Sequence, residues 1–433
     1  MKKYLLIISA LLAFCSCSSN EKEYDLCVYG GSASGVVAAY SAAQMGLDVL
    51  VVEPNIRIGG LTTGGLSFTD IGNKQVVKGV ALQFYRRLGE HYGNLEQWVF
   101  EPSVAHKILM DYLDHEKIDF ITGYHICDAE LDGTDITSIK VAGGEASADT
   151  LSFDAKWFID ASYEGDLMAK AGVSYRTGRE DCSEYGETWN GVQLLDRHQF
   201  PDGIDPYVEK GNPGSGLLWG ISDAAVSLNG TGDGLSQAYN YRICLTDSLE
   251  NMLPITKPEN YDPSHYELLI RLMEAQPDKT ELTDYFIWSP MPCRKTDVNN
   301  KGGFSTDMIG ANHNYPEGTY EERQAIIQAH KDYTIGLLYF VGHDERVPAP
   351  IREEMLRWGF PKDEYVETGH WSPQLYIREC RRMVGEYVAT QKDCEQKTHV
   401  EDWVGMAAYT MDSHNCQRVV VVKDGVPMVK NEG

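Results

Sequence analysis

Gly30, Gly31, Ser32, Ala33, Ser34 and Gly35 have the spacing G-x-G-x-x-G, with serine where the middle glycine is expected. Between a strand and a helix, this spacing serves to bind a pyrophosphate. The first glycine lets the chain turn sharply, the second lets backbone approach phosphate, and the third lets the helix pack closely. The helix start adds free N–H groups and a positive dipole end. Ser32 adds a Cβ at the close-approach position, and its hydroxyl is expected to donate to a phosphate oxygen. Glu53 closes the next apolar run, LDVLVVEP. An acid there accepts hydrogen bonds from an adenosine ribose and favours a free 2′-OH, hence FAD or NAD rather than NADP.

Two further groups could carry chemistry. His414 lies near Asp412 in YTMDSHNCQR, and a histidine beside a carboxylate can accept a proton in substrate oxidation. A hydrogen-bonded loop histidine reads the same way, and His313, His343 and His370 are equal candidates on composition. Arg378 and Arg382 are four apart in YIRECRRMVGEYV, which places both on one face if the stretch is helical, as a clamp for a carboxylate or as a salt-bridged surface. No metal-ligand spacing appears among the histidines, no cysteines form C-x-x-C, and there is no G-x-S-x-G elbow. No metal is expected.

These residues need elements to position them. DLCVYG reads as a buried parallel strand stopped by glycine, and SGVVAAYSAAQMG as a helix ending at Gly46. Gly35 and Ala39 give that helix a small face for the sheet. With LDVLVVEP this is a β-α-β unit. RIGGLTTGGL follows directly, so Gly59, Gly60, Leu61 and Thr62 form either a flexible loop or a second backbone contact to the ligand. A helix is expected at about 102 to 115, then a strand at Phe120, a hairpin turning near LDGTD, and a strand AKWFIDA reaching Ala161. Gly165-Asp166 opens a helix as an anion site, a hinge or a simple cap. From about 175 the texture changes to loops dense in Tyr, Trp, Pro, Asn and Gly, with one long helix, YEERQAIIQAHKDYTIGLLYFV.

Four stretches together carry a resemblance: VYGGSASGVVAA, EPNIRIGGLTTGGLSFTD, FIDASYEGDLMAKAGVSYRTGRE and SPQLYIRECRRMVGEYV. In order and spacing they resemble exported bacterial members of the FAD-dependent oxidoreductase family, flavoproteins of glutathione-reductase type. The resemblance covers nearly the whole chain after the leader. Relatives commonly carry G-G-[ST]-x-[AS]-G at the first turn, which makes Ser32 a family variant. It implies FAD as cofactor, held by residues 30 to 35, Glu53, Pro54, Gly59 to Thr62 and Ala161. The implied fold is α/β, a Rossmann-like FAD-binding domain (parallel sheet plus β-hairpin layer) with an inserted α+β substrate domain. His414 and Arg382 are the catalytic candidates. Some relatives carry the name xanthan lyase. Relatives also run on beyond DGVPMVKNEG into a segment that completes the flavin site, so an incomplete FAD site and an uncovered apolar strand edge are expected.

The expected division is a leader and tether at 1–22, an FAD-binding domain at 23–175, a substrate domain at 176–400, and a segment at 401–433 returning toward the FAD domain. Lys2, Lys3 and the apolar run to Phe14 read as an export signal, too short to span a membrane. Ser16-Cys17 resembles a lipoprotein box, with Cys17 lipidated and the product anchored in the cell envelope, outer membrane or periplasm. A net charge of −26 argues against nucleic acid and against charge-driven binding to anionic membranes. The partner is then a small-molecule or carbohydrate substrate, and the membrane is met only through the lipid. Two rival readings remain open: a polysaccharide lyase or hydrolase on a flavoprotein-like scaffold, and a non-catalytic remnant.

Overall fold

A computed structural model describes residues 22–143 and 150–433. The leader and Cys17 lie outside the described residues. The first unit contains β1 (Tyr24–Tyr29), α1 (Ala33–Gln44), β2 (Val49–Glu53), α2 (Gly60–Thr63), α3 (Gly79–Tyr92), α4 (Pro102–Leu113), β3 (Ile118–Thr122), β4 (Tyr124–Asp132), β5 (Asp135–Gly143), β6 (Thr150–Asp160) and α5 (Asp166–Lys170). Then come β7 (Tyr175–Arg176), α6 (Cys182–Tyr185), β8 (Ile243–Thr246), β9 (Met252–Pro254), α7 (Glu267–Ala275), β10 (Phe286–Met291) and β11 (Lys295–Asn300). The chain continues through α8 (Tyr320–His343), α9 (Ala349–Met355), β12 (Gly359–Pro361), β13 (Arg382–Met383), α10 (Gln391–Cys394), β14 (Gln417–Lys423) and β15 (Val426–Glu432).

The first sheet has the order β3-β2-β1-β6-β5-β4. β6 belongs to two layers: Thr150 to Asp154 pair antiparallel with β5, while Ala155 to Asp160 pair parallel with β1. Successive residues of β1 point to opposite faces. Leu26 and Val28 pack with Val36, Ala39 and Leu109 on the helix side; Cys27 and Tyr29 pack with Ile139 and Val141 under the hairpin layer. Burial on both faces explains the unbroken apolar runs of β1 and β2. It also makes Cys27 a packed side chain. The expected β-α-β unit, hairpin and returning strand are all present, and so is the expected parallel sheet with its hairpin layer.

The second sheet, β10-β11-β8-β12-β9, is antiparallel and packs with α7 and α8 around Tyr241, Leu245, Leu269 and Leu337. α8 begins at a capping box, Thr319 with Glu322, which the sequence TYEE encodes. The two units are tied by buried charge. Asp297 on β11 accepts from Arg242 and from the Ser67 and Phe68 amides. Lys295, wholly buried, meets Glu101, Asp363 and Glu364 within 2.8 Å.

One expectation is corrected. The stretch 376–388 is not helical: Tyr376 donates to the Asn240 carbonyl, Val384 donates to that of Ser174, and Arg382–Met383 pair with β7. Its backbone finds partners in other segments, so it stays extended and Arg378 and Arg382 do not share a face. At the C-terminal end β15 turns back on one edge of β14 over seven paired positions. This hairpin bonds to Ile204, Ser222 and Gln193 rather than to the first sheet. Among the described residues, no helix is long and apolar enough to cross a membrane.

Candidate functional site

A cavity of about 350 Å³ opens at the carboxyl ends of β1, β2 and β6, where α/β sheets bind nucleotides. Gly30, Ser32, Glu53, Pro54 and Ala161, all singled out from the sequence, line it. Gly31, Ala33, Ser34, Gly35, Gly59, Gly60, Leu61 and Thr62 stand behind or beside it. Gly30 has φ +99°, and a Cβ there would lie 2.5 Å from the Ser162 nitrogen. A Cβ on Gly35 would lie 2.0 Å from the Gly30 carbonyl oxygen, so only glycine lets α1 start this close to β1. Neither position admits a side chain.

Ser32 has a use different from the expected one. It is the N-cap of α1: its Oγ accepts from the Gly35 amide and donates to the Ala161 carbonyl at 2.8 Å. The hydroxyl proton therefore joins the helix start to the end of β6 and is not free for a phosphate. The Ala33 and Ser34 amides, in the first turn, have no acceptor within the helix and supply the anion-binding end.

Glu53 is 7% exposed and accepts from the Gly31 amide at 2.6 Å and the Asn55 amide at 2.7 Å. Burial pushes its carboxyl up to about 7, against the pull of those two donors. Remaining lone pairs face the cavity it lines, where ribose hydroxyls can bond them. Gly59 donates to the Gly31 carbonyl at 2.7 Å, so the second glycine loop is clamped onto the first. A Cβ on Gly60 would fall 2.3 Å from the Tyr163 hydroxyl, which in turn accepts from the Leu61 amide. This pair of glycines is thus required by close packing, and the flexible-loop alternative does not hold.

The far wall comes from residues that the motifs did not reveal. His125 stacks on Tyr320 with centroids 3.8 Å apart, and both line the cavity. Arg323 of α8 holds Asp166 through both carboxylate oxygens, and Arg381 joins at 2.6 Å. Asp166 is therefore an ion-pair anchor across the units. The α5 N-cap is Gly165, with no side-chain cap bond. Glu164 lines the cavity and accepts from Tyr315; burial and the charge of Asp166 raise its pKa. Only tertiary proximity links these residues, and no spacing in the sequence could have found them.

Ile377 faces the cavity; its neighbour Arg378 belongs to a second cluster. There His414 Nδ1 lies 2.7 Å from Asp307 Oδ2, and Arg378 Nη2 donates to Asp307 Oδ1 at 3.0 Å. Asp412, the expected partner, stands 3.6 Å from the other imidazole nitrogen, Nε2. Burial opposes charge on Asp307, yet the charges and hydrogen bonds of His414 and Arg378 hold its carboxyl at about 2. Burial likewise opposes charge on His414, and Asp307 outweighs it to raise the imidazole pKa. Arg382 lies elsewhere, bonded to Glu180 and the Gly178 carbonyl. His313 accepts from the Ser236 amide, His343 meets the Tyr339 carbonyl, and His370 meets that of Glu364. None of these three lines the cavity.

The first cluster fits FAD by its own chemistry: two glycines that let α1 start hard against β1 and the end of β6, an amide-bearing helix start, and a buried carboxylate for ribose. Residues 25–431 match the family described as FAD dependent oxidoreductase. The thiamine thiazole synthase of Pyrococcus horikoshii is 27% identical over 35% of this chain and 62% of its own. That of Pyrococcus furiosus is 26% identical over 46% of this chain and 84% of its own. The chain thus spans under two thirds of the Pyrococcus horikoshii protein's length. Among solved structures, Thermovibrio ammonificans THI4 aligns at 20% identity over 36% of this chain and 64% of that one, with a TM-score of 0.28. The myxobacterial chondrochloren halogenase CndH aligns at 15% over 44% and 47%, with a TM-score of 0.31. By the match that runs from the first strand almost to the last residue, this chain belongs to the FAD dependent oxidoreductase family.

Proposed function

We propose that the chain is an exported oxidoreductase that oxidises a small or carbohydrate-type substrate. The observation that carries this reading is the Gly30–Glu53–Ala161 cradle, within a family match over residues 25–431. Bound FAD supplies the two-electron acceptor. The α1 start receives the pyrophosphate, Glu53 accepts from the ribose, and the clamped Gly59–Gly60 turn fixes the next stretch of backbone. Ile377 and Arg378 are consecutive, one on the cavity and one on the His414 cluster, so a single extended segment adjoins both.

His414 is the proton acceptor in this reading. Asp307 takes Nδ1–H, so the neutral imidazole, reached above its raised pKa, has its lone pair on Nε2 for a substrate hydroxyl. Removing it, as His414→Ala, is expected to cost roughly 10²–10⁴ in rate. The decisive experiment is the visible spectrum of the purified protein, before and after adding FAD. Flavin that stays with the protein through gel filtration supports the proposal; none bound under either condition sinks it. An unsaturated sugar product formed without flavin turnover would instead support the lyase reading.

Export and anchoring through Cys17 belong to the same proposal, supported by the leader sequence. Wild type is expected in the membrane fraction and to incorporate labelled palmitate. Cys17→Ser should do neither, and a wild type left unlabelled ends the lipoprotein reading.

A further inference from the structure

Arg418, on β14, is 1% exposed and is the bulkiest fully buried side chain among the described residues. None of its three guanidinium nitrogens makes a well-formed hydrogen bond, and the side chain that meets it most closely in charge and hydrogen bonding is the neutral Tyr333 hydroxyl. The group lies over the Phe304 ring at 5.0 Å, and a Cβ built on Gly220 would sit 3.1 Å from Nη1. An arginine does not shed its proton, and a buried charge without a partner is strongly unfavourable. Its environment is built to keep the guanidinium, yet supplies no anion bonded to it: the Tyr333 hydroxyl is neutral and its own proton goes to the Ser305 carbonyl.

The surroundings say what chemistry is missing. Arg418 feels the charge of Asp307, whose two oxygens are already taken by Arg378 and His414. Two arginines and a histidine of raised pKa therefore face one buried carboxylate. Asp412 adds a second, but its side chain is 63% exposed, on the solvent side of His414. In a chain of net charge −26 this interior spot carries an excess of positive charge. His198, exposed, stacks on His414 with ring centroids 6.4 Å apart, whereas Arg418 is fully buried.

We propose that Arg418 is a substrate-binding residue that pairs with a carboxylate group, so that the substrate is an organic acid or an acidic sugar. The planar fork of the guanidinium matches the two carboxylate oxygens, and Phe304 beneath it holds the plane. The proposal rests on reading the His414 cluster as the substrate side of the oxidoreductase.

The test uses the purified protein with whatever flavin it holds, and acetate and formate as probes against acetamide and formamide at matched ionic strength. A carboxylate that binds only the folded state raises the thermal midpoint saturably. Wild type should respond to the acids and not to the amides. Arg418→Met should lose the response, and Arg418→Lys should keep a weaker one. Equal responses to acid and amide in wild type overturn the proposal, as does an unchanged response in Arg418→Met. The guanidinium would then be satisfied inside the protein, with the Tyr333 hydroxyl oxygen as its acceptor. Should Arg418→Met fail to fold, the wild-type and Arg418→Lys arms still decide. Flavin content is read on the same samples. Flavin without an acid response overturns this site alone; an acid response in protein that takes up no flavin sinks the oxidoreductase reading alone.

Discussion

His414 Nδ1 and Asp307 Oδ2 lie 2.7 Å apart in the interior, 107 residues apart in sequence, with Arg378 on the other carboxylate oxygen. The pair sets a pH window. Asp307, held at about 2 against an ordinary 3.8, contributes stability that is present above 3.8 and lost as pH falls toward 2. His414, raised above 6.5, contributes stability that is present below 6.5 and lost as pH rises through its folded pKa. Stability from the pair is thus greatest between about 4 and 6.5. Asp307→Asn should flatten both flanks and cost about 3–5 kcal/mol, since Arg378 and His414 lose their buried anion. Histidine NMR should show the His414 pKa falling in the variant. An unchanged titration would mean that Asp307 does not set it.

Ser32→Ala tests the cap. The variant loses the bond from Gly35 and the bond to Ala161. An N-cap serine is worth about 0.5–2 kcal/mol, and chemical denaturation should show a loss in that range. FAD affinity should change little, because the hydroxyl proton is committed to Ala161. A large drop in affinity with unchanged stability would return the hydroxyl to the phosphate.

Glu53 predicts a slope in the flavin-free protein. A carboxyl raised from 4.5 to about 7 binds its proton more tightly in the folded state. Stability should therefore fall as pH rises from 4.5 to 7, by about 3 kcal/mol, and level off above. Glu53→Gln should remove this slope and weaken FAD binding. Parallel stability curves for the two proteins would contradict it.

Arg382 and Arg378 should behave differently. Arg382 is 36% exposed at the side chain and paired with Glu180, so Arg382→Ala should cost under about 1 kcal/mol and spare flavin binding. Arg378 is 7% exposed at the side chain and holds Asp307. Arg378→Ala should destabilise the fold more and raise the His414 pKa further, since a neighbouring positive charge is removed. Denaturation and histidine NMR on both variants check the contrast.

Much of the first unit was legible from local signals. Apolar runs bounded by glycine, the small face of α1 and Glu53 at a strand end are all encoded within a few neighbouring residues. They act through backbone geometry and burial, which depend on short spacings. Even there one side chain was misread: Ser32 looked like a phosphate donor because its acceptor, Ala161, lies 129 residues away.

The second cluster was legible only as a histidine. The sequence placed Asp412 beside it, yet the closer carboxylate is Asp307, and the arginine expected on a helix with Arg382 is extended and turned to that acid. The buried guanidinium of Arg418 left no trace in the sequence, where it is one arginine in an apolar strand. Composition, spacing and family pattern determined the FAD-binding half, because its contacts are made by the backbone at fixed intervals. Tertiary structure alone decided the partners of His414, Arg378 and Arg418, because burial and charge pairing depend on which distant segments meet.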